Sequence, residues 1–158
     1  ISLLGGNVAP DASGNVFAEP YSVKATNDVW RNLNWIFLDT ATRDLLYGSS
    51  EVPENYVGGA TLVIVWTSTA ITGNAVWDFD YRTVAGDDLN SLDQVGTEEA
   101  VTVTDAAPGA AHRRLRVTIA LTAANLAAGE TIQWLFARDG LAADTMGAAA
   151  IQWDLRLR

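Results

Sequence analysis

The amino-acid sequence predicts an all-β protein: a two-sheet antiparallel β-sandwich of the jelly-roll type with an extended N-terminal arm. Alternating or continuously apolar segments recur along most of the 158-residue chain, and turn-forming residues separate them. No segment has the apolar spacing of an amphipathic helix of ordinary length. The roughly seven or eight predicted strands are long and unevenly connected, which favours a jelly roll over an up-and-down barrel. The absence of a cysteine pair argues against an immunoglobulin domain.

Residues 1–28 differ in composition from the rest and predict an extended arm with little regular structure. Gly, Asn, Pro, Ala and Ser dominate them, and proline cannot donate to a central β-ladder. Residues 29–158 are predicted to form a single β-sandwich domain. Exposing the apolar side chains in and just after the arm to solvent would be unfavourable, so we expect them to contact a neighbouring subunit or a capsid. These candidate contact residues are Leu3, Leu4, Val8, Val16, Phe17, Tyr21 and Trp30. A loose terminus is the alternative.

A central hairpin over residues 60–84 is the strongest local prediction. Residues 62–66 are continuously apolar, as in a strand that is buried on both faces. Residues 74–84 alternate between an apolar face and a wet face, and the wet face carries Asn74, Asp78, Asp80 and Arg82. Gly73 and Asn74 suit the turn between the two strands because both residue types tolerate positive φ.

The remaining elements are predicted from the same signals. Before the hairpin, residues 33–39 form a strand, residues 44–47 a short second piece and residues 49–59 a loop. After it, alternation predicts strands over residues 97–104, 112–122, 131–138 and 151–158. The intervening connections are rich in polar or small residues, and Gly129 is suited to end a helical turn.

Composition and charge exclude several classes of protein. The net charge is −9, which opposes nonspecific binding to nucleic acid or to an anionic membrane, and neither is predicted as a partner. The chain has no cysteine, so disulfide scaffolds, zinc–thiolate sites and cysteine nucleophiles are excluded. No apolar run reaches the ~18 residues that would predict a membrane-spanning helix.

The sequence shows no catalytic constellation, and no enzyme, cofactor or metal site is predicted. His112 is the single histidine and lacks an evident orienting partner. Asp78 and Asp80 lie about 6.6 Å apart along one strand face, a separation that could suit a glycosidase pair. Ion pairs across strands are the favoured interpretation, with Arg114, Arg116, Arg156 and Arg158 as candidate partners. Loop aspartates leave calcium binding open, although the EF-hand spacing is absent.

The six tryptophans bear on a binding function, because exposed aromatic rings can stack on sugars. Trp66, Trp77, Trp134 and Trp153 occupy apolar strand positions and are predicted to lie in the core. Trp30 is the candidate for an exposed platform.

The sequence resembles a small β-sandwich domain of tailed-phage virion proteins in three segments, PENYVGGATLVIVWTS, TGNAVWDFDYRTV and LAAGETIQWLFARDG. The resemblance covers roughly residues 33–157, and its most characteristic marks are Arg138-Asp139-Gly140 and Ala143-Asp144-Thr145. It implies a virion structural protein on the exterior of a capsid or in a fibre. It also implies a homo-oligomer, with a trimer favoured, that contacts the major capsid protein or another virion protein.

Three functions follow in order of preference. The first is a capsid decoration or head-fibre protein that binds the phage particle through subunit contacts. The second is a receptor- or carbohydrate-binding domain of a phage tail fibre, which the tryptophans and the long predicted loops favour. A glycosidase that uses Asp78 and Asp80 is a distant third.

Overall fold

The computed structural model describes residues 16–23, 32–38, 43–85, 96–140 and 143–158, with no side-chain description for residues 16, 17, 19–23, 32, 33 and 153. These described residues form two five-stranded sheets. The sheet that we call the β6 sheet has the order β1 (Val16–Phe17), β4 (Arg43–Glu51), β9 (Thr131–Asp139), β6 (Asn74–Val84) and β7 (Glu99–Ala106). The β5 sheet has the order β2 (Glu19–Val23), β3 (Asn32–Phe37), β10 (Ala150–Leu157), β5 (Thr61–Ser68) and β8 (Leu115–Ala120).

This architecture confirms the predicted all-β sandwich. The strand pairs are antiparallel except for the short parallel pair of β1 and β4. Consecutive strands change sheet at every step except β2 to β3 and β6 to β7, as in a jelly roll. A 3₁₀ turn, Ala123–Asn125, falls in the connector that was predicted to contain a helical turn.

The predicted central hairpin is wrong, although its two strands are correct. β5 lies in one sheet and β6 in the other, so residues 69–73 cross between the sheets. Gly73 makes this crossing feasible: its φ is +91°, and a Cβ on it would stand 2.5 Å from the Thr145 carbonyl oxygen. Turn-forming residues indicate that the chain reverses direction, but they do not indicate whether the two flanking strands pair with each other.

Strand β4 is longer than the predicted piece at residues 44–47, and it pairs with β9 along its whole length. Gly48, Ser49 and Ser50 resemble loop residues in sequence, yet they lie within this strand. The structure requires the glycine, because a Cβ at Gly48 would stand 2.1 Å from the Trp134 indole. The indole therefore lies directly against the β4 backbone.

The predicted N-terminal arm is partly built into the sandwich. Within residues 1–28, residues 16–17 and 19–23 form strands that pair with β4 and β3, and Ala18 between them is 1% exposed. This differs from the expected lack of regular structure. Of the candidate contact residues, Val16, Phe17 and Tyr21 belong to β1 and β2 but have no described side chains, whereas Leu3, Leu4, Val8 and Trp30 lie outside the described residues.

Aliphatic side chains and a cluster of aromatic rings fill the space between the sheets, and Trp66, Trp77 and Trp134 lie there as predicted. Trp77 stacks on Phe136 at 5.2 Å and meets Trp66 edge-on at 5.5 Å. The Trp66 indole Nε1 also donates a hydrogen bond to Asp105 on β7, 2.8 Å away, which joins the two sheets. Because this core holds the two sheets against each other, it sets the positions of the side chains on their outer faces.

The apolar run of β5 is buried on both faces, as predicted. Leu62, Ile64 and Trp66 face the core, whereas Val63 and Val65 lie on the outer face and are each 2% exposed. Cross-strand neighbours flank both valines, with Thr118 and Arg156 opposite Val63, and Arg116 and Asp154 opposite Val65. Because long polar side chains cover apolar neighbours, the burial of these valines needs no second subunit.

Candidate functional site

A fully buried arginine forms the largest polar cluster among the described residues. Arg138 is 0% exposed, and its guanidinium binds the Asp144 carboxylate through two bonds of 2.8 and 2.7 Å. Its remaining N–H groups reach main-chain carbonyls, at 2.7 Å for Met146, 2.8 Å for Ala148 and 3.2 Å for Leu38. Asp144 in turn accepts bonds from the backbone N–H groups of Val76 and Met146, each at 3.1 Å.

This cluster serves the fold rather than a ligand. Arg138 belongs to β9 of the β6 sheet, and its partners lie at the end of β3 and in the loop before β10, both belonging to the β5 sheet. The guanidinium and carboxylate groups are occupied by protein partners, and burial leaves no room for a substrate. The Arg138 and Asp144 segments that carry the family resemblance are therefore explained by structure.

Asp78 and Asp80 form the expected ion pair, but with a partner that the sequence analysis missed. The Arg43 Nη2 atom lies 3.0 Å from Asp78 and 3.4 Å from Asp80. Arg43 starts β4 and reaches both carboxylates across the intervening strand β9. The four predicted arginine partners are wrong because they lie on the β5 sheet or in the loop leading into it; Arg156 there contacts Asp154.

A groove of about 580 Å³ opens on the outer face of the β6 sheet, directly beside Asp80. Two cross-strand rows form its floor. The first row is Tyr47, Leu135 and Asp80, and the second is Ser49, Gln133 and Arg82. Because side chains opposite one another on adjacent antiparallel strands share a face, these six residues come together on β4, β9 and β6.

The polar groups of the groove are held in place by their neighbours. The Arg82 Nε donates to the Gln133 side-chain oxygen at 2.7 Å, so the second row is a bonded pair on adjacent strands. Asp80 is oriented by Arg43. Tyr47, Asp80, Arg82 and Gln133 are all half-buried and line the groove.

One rim of the groove is formed by Gly96 and Thr97. The adjoining Glu98 anchors it, because its carboxylate accepts bonds from the Thr83 backbone N–H at 3.0 Å and hydroxyl at 2.7 Å. Next to it, the Tyr81 hydroxyl donates to Glu99 at 2.5 Å. Burial and the Glu99 carboxylate raise the pKa of Tyr81. Burial works to raise the pKa of Glu99, but hydrogen bonds from Tyr81 and Thr122 hold it below its usual value.

The other sequence candidates do not assemble into a site. His112 is exposed at the tip of the β7–β8 loop with a φ of +63°, and no described carboxylate pairs with it. Within the described ranges, no group of three or more His, Cys, Asp or Glu residues could hold a metal ion. No helix in the described part of the chain is long and apolar enough to cross a membrane. The groove residues Tyr47 and Gln133 were not singled out from the sequence.

Comparisons with known proteins extend the description of the fold. No protein-family model matches the sequence, and no curated protein is similar to it. The structure resembles the K1 cleaved adhesin domain of Lys-gingipain from Porphyromonas gingivalis W83, with 13% identity, a TM-score of 0.52, and coverage of 100% of this chain and 95% of that one. At this identity the likeness shows the β-sandwich fold alone.

Two weaker likenesses are to carbohydrate-binding modules. TmCBM61, solved in complex with β-1,4-galactotriose, is 14% identical with a TM-score of 0.47, and the match covers 99% of this chain and 90% of that one. A family 16 carbohydrate-binding module is 13% identical with a TM-score of 0.37, over 80% of this chain and 76% of that one. The strand order and the groove define a jelly-roll β-sandwich with an open groove on one sheet. None of these three structures is a phage protein.

Proposed function

We propose that this protein is a carbohydrate-binding domain that holds a short oligosaccharide in the groove of the β6 sheet. The observation that carries the proposal is the juxtaposition of the Tyr47 ring with a bonded Arg82–Gln133 pair and with Asp80 on one sheet face. The proposal is the receptor- or carbohydrate-binding alternative derived from the sequence, placed on residues other than Trp30.

The chemistry of the groove matches that of a sugar. A pyranose ring has apolar C–H faces and an edge of hydroxyl groups, each of which donates and accepts hydrogen bonds. Tyr47 and Leu135 provide apolar surface, and the tyrosine hydroxyl adds a polar tip. The Arg82 guanidinium and the Gln133 amide provide N–H donors, whereas Asp80 and the glutamine oxygen provide acceptors.

Preorganisation favours affinity. Sugars bind weakly when a protein must order flexible side chains around them, since each ordered side chain costs about 0.5–1.5 kcal/mol. Here Arg82 is held by Gln133 and Asp80 by Arg43 before any ligand arrives. A volume of about 580 Å³ lies within the range of small-ligand sites and suits a few sugar units.

Isothermal titration calorimetry on hits from an array of neutral oligosaccharides tests the proposal. We expect Tyr47→Ala and Gln133→Ala each to weaken binding by roughly tenfold or more, in line with the loss of a stacked ring or of hydrogen bonds in a small site. Thr104→Ala is the matched control, because Thr104 is exposed on the same sheet face on β7, outside the groove. Absence of any array hit, or unchanged affinity in both groove variants, would refute the proposal.

The virion role implied by the sequence resemblance receives no support from the structural comparisons. Exterior location on a phage particle and assembly as a trimer remain predictions. Electron microscopy of particles with and without the protein tests the first, and native mass in solution tests the second. Neither outcome bears on whether the groove binds sugar.

A further inference from the structure

The positive charge of this acidic chain is concentrated in one region of the β5 sheet. Residues 107–120 and 150–158, which contain β8, the loop before it and β10, carry five of the ten Lys and Arg residues but only one of the nineteen Asp and Glu residues. The rest of the chain holds five Lys and Arg residues against eighteen Asp and Glu residues. This region, the basic face, is distinct from the groove, which lies on the other sheet.

The arginines of the basic face point away from the core. On β8, Leu115, Val117 and Ile119 pack inward, which places Arg116 on the outer face, and on β10 Leu155 and Leu157 pack inward, which places Arg156 and Arg158 outside. Arg113 and Arg114 lead directly into β8. Four of these five side chains are exposed, and Arg156 is half-buried in contact with Asp154.

Arg116 and Arg156 cover the outer-face valines with their stems, and Arg156 contacts Asp154, but the other guanidinium groups have no carboxylate among the described residues. Unlike Arg138 and Arg43, the exposed members Arg113, Arg114, Arg116 and Arg158 have no described carboxylate partner for their side chains. Guanidinium groups that have no carboxylate among the described residues, in a chain of net charge −9, create a local positive potential that an anion can satisfy. Arginine suits carboxylate and sulfate groups because its planar fork presents paired N–H donors.

The spacing indicates an extended, sparsely charged ligand. Arg156 and Arg158 lie roughly 7 Å apart along β10, and Arg116 lies roughly 12 Å from Arg156 across β5, from ideal strand geometry. Duplex DNA carries one charge per ~1.7 Å, and the acidic remainder of the chain would repel so dense a polymer. The described side chains on the outer face of β10, β5 and β8 include no aromatic ring on which bases could stack.

We propose that the basic face binds an acidic polysaccharide, one that carries carboxylate or sulfate groups at intervals along an extended chain. The ligand lies across β8, β5 and β10, and its anionic groups pair with Arg114, Arg116 and Arg158. This surface acts independently of the sugar groove on the opposite sheet. Two glycan surfaces on one domain allow it to bridge a neutral and an acidic polymer.

The test is titration of the intact chain with polygalacturonate and with a sparsely sulfated galactan that has no carboxylate, which separate carboxylate from sulfate recognition, and with neutral dextran and single-stranded DNA. Arg114→Ser/Arg116→Ser/Arg158→Ser removes three charges from the face and spares the paired Arg156. Ala100→Glu/Thr104→Glu/Ala106→Glu is the matched control, since it makes the net charge equally negative through exposed positions on β7 of the other sheet. Far-UV circular dichroism verifies that both variants fold.

We expect binding to at least one acidic polysaccharide, an affinity loss of about tenfold or more in the arginine variant, little loss in the control, and weakening as salt shortens the range of charge interactions. Tyr47→Ala should leave this binding unchanged. Equal loss in the arginine variant and the control, loss in Tyr47→Ala, tighter binding to DNA, or no binding to either polysaccharide would each overturn the proposal.

Discussion

Two arginine–aspartate clusters in this molecule use the same chemistry in opposite surroundings. Arg138 and Asp144 are 0% and 3% exposed at the side chain, and main-chain groups from both sheets complete their hydrogen bonding. Arg43 and Asp78 are 29% and 11% exposed, and they lie at the outer surface of one sheet. The first cluster links the two sheets, whereas the second orients Asp80 in the floor of the groove.

The difference shows that burial, not residue identity, decides what such a pair does. A buried charge left without its partner is strongly destabilising, because water cannot replace the lost interaction. A pair at the surface contributes little to stability, because water and salt screen it. A partly exposed pair can therefore position a binding group at small cost to the fold, while a buried pair fixes the architecture.

The largest effect on stability is expected from Asp144→Asn in the buried cluster. The substitution removes the carboxylate that Arg138 binds through two hydrogen bonds while the arginine stays charged and fully buried, so we expect the free energy of unfolding to fall by about 3–5 kcal/mol. Urea denaturation followed by tryptophan fluorescence measures the change. A loss below about 1 kcal/mol would mean that the cluster does not join the sheets as described.

A double variant separates charge from hydrogen bonding. Arg138→Met/Asp144→Asn removes the charge, yet the carbonyls of Leu38, Met146 and Ala148 lose the donors that they use now. Because unsatisfied buried groups cost about 1–3 kcal/mol each, we expect the double variant to remain clearly less stable than the parent. Recovery of parental stability would assign the whole effect to the charge.

Glu99 is a third hydrogen-bonded carboxylate, and the contribution of its charge to stability can be tested through pH. Its carboxylate accepts bonds from the Tyr81 hydroxyl at 2.5 Å and from the Thr122 hydroxyl and backbone N–H, each at 2.9 Å. Glu99→Gln keeps the shape but loses the charge that strengthens these bonds. We expect a loss of about 1–2 kcal/mol at pH 7 by urea denaturation.

The pKa of Glu99 is lowered in the folded protein, so its stabilising contribution is present above the usual glutamate pKa of about 4.3 and is lost as pH falls through the lower folded value. The stability difference between the parent and Glu99→Gln should therefore shrink in acid. Glu51→Gln, at an exposed position on β4, is a control for the general loss of an acid. A difference that is constant with pH would contradict the assignment.

The sequence predicted the strands better than their partners. Residues 74–84 were predicted as one strand and form β6, because their alternation is local information. The pairing of β5 with β6 was wrong because Gly73 fits a hairpin turn and a crossing between sheets equally well. The predicted strand β4 was too short because Gly48, Ser49 and Ser50 have low strand propensity. In the structure, the packing of Trp134 outweighs that propensity.

The candidate groove could not be predicted from the sequence, because it also depends on how the strands pair. Its floor depends on the register that places Tyr47 opposite Leu135, and Gln133 opposite Arg82. Those residues come from strands far apart in the chain, and a shift of one residue would turn every side chain to the other face. The wet-face residues Asp80 and Arg82 were the available signal, and a search for further polar or aromatic residues on neighbouring strands could have extended it.

Arg43→Gln, in the partly exposed cluster, should have the smallest effect on stability. Because the Arg43 pair is partly exposed, we expect the free energy of unfolding to fall by no more than about 1 kcal/mol, and by less in high salt. Arg156→Gln, which disrupts the partly exposed pair with Asp154 on the other sheet, is the matched control. In Arg43→Gln alone, Asp80 loses its orienting partner, so oligosaccharide affinity should fall several-fold, about 1 kcal/mol, with the fold intact. A large loss of stability with unchanged affinity would reverse the roles assigned to the two clusters.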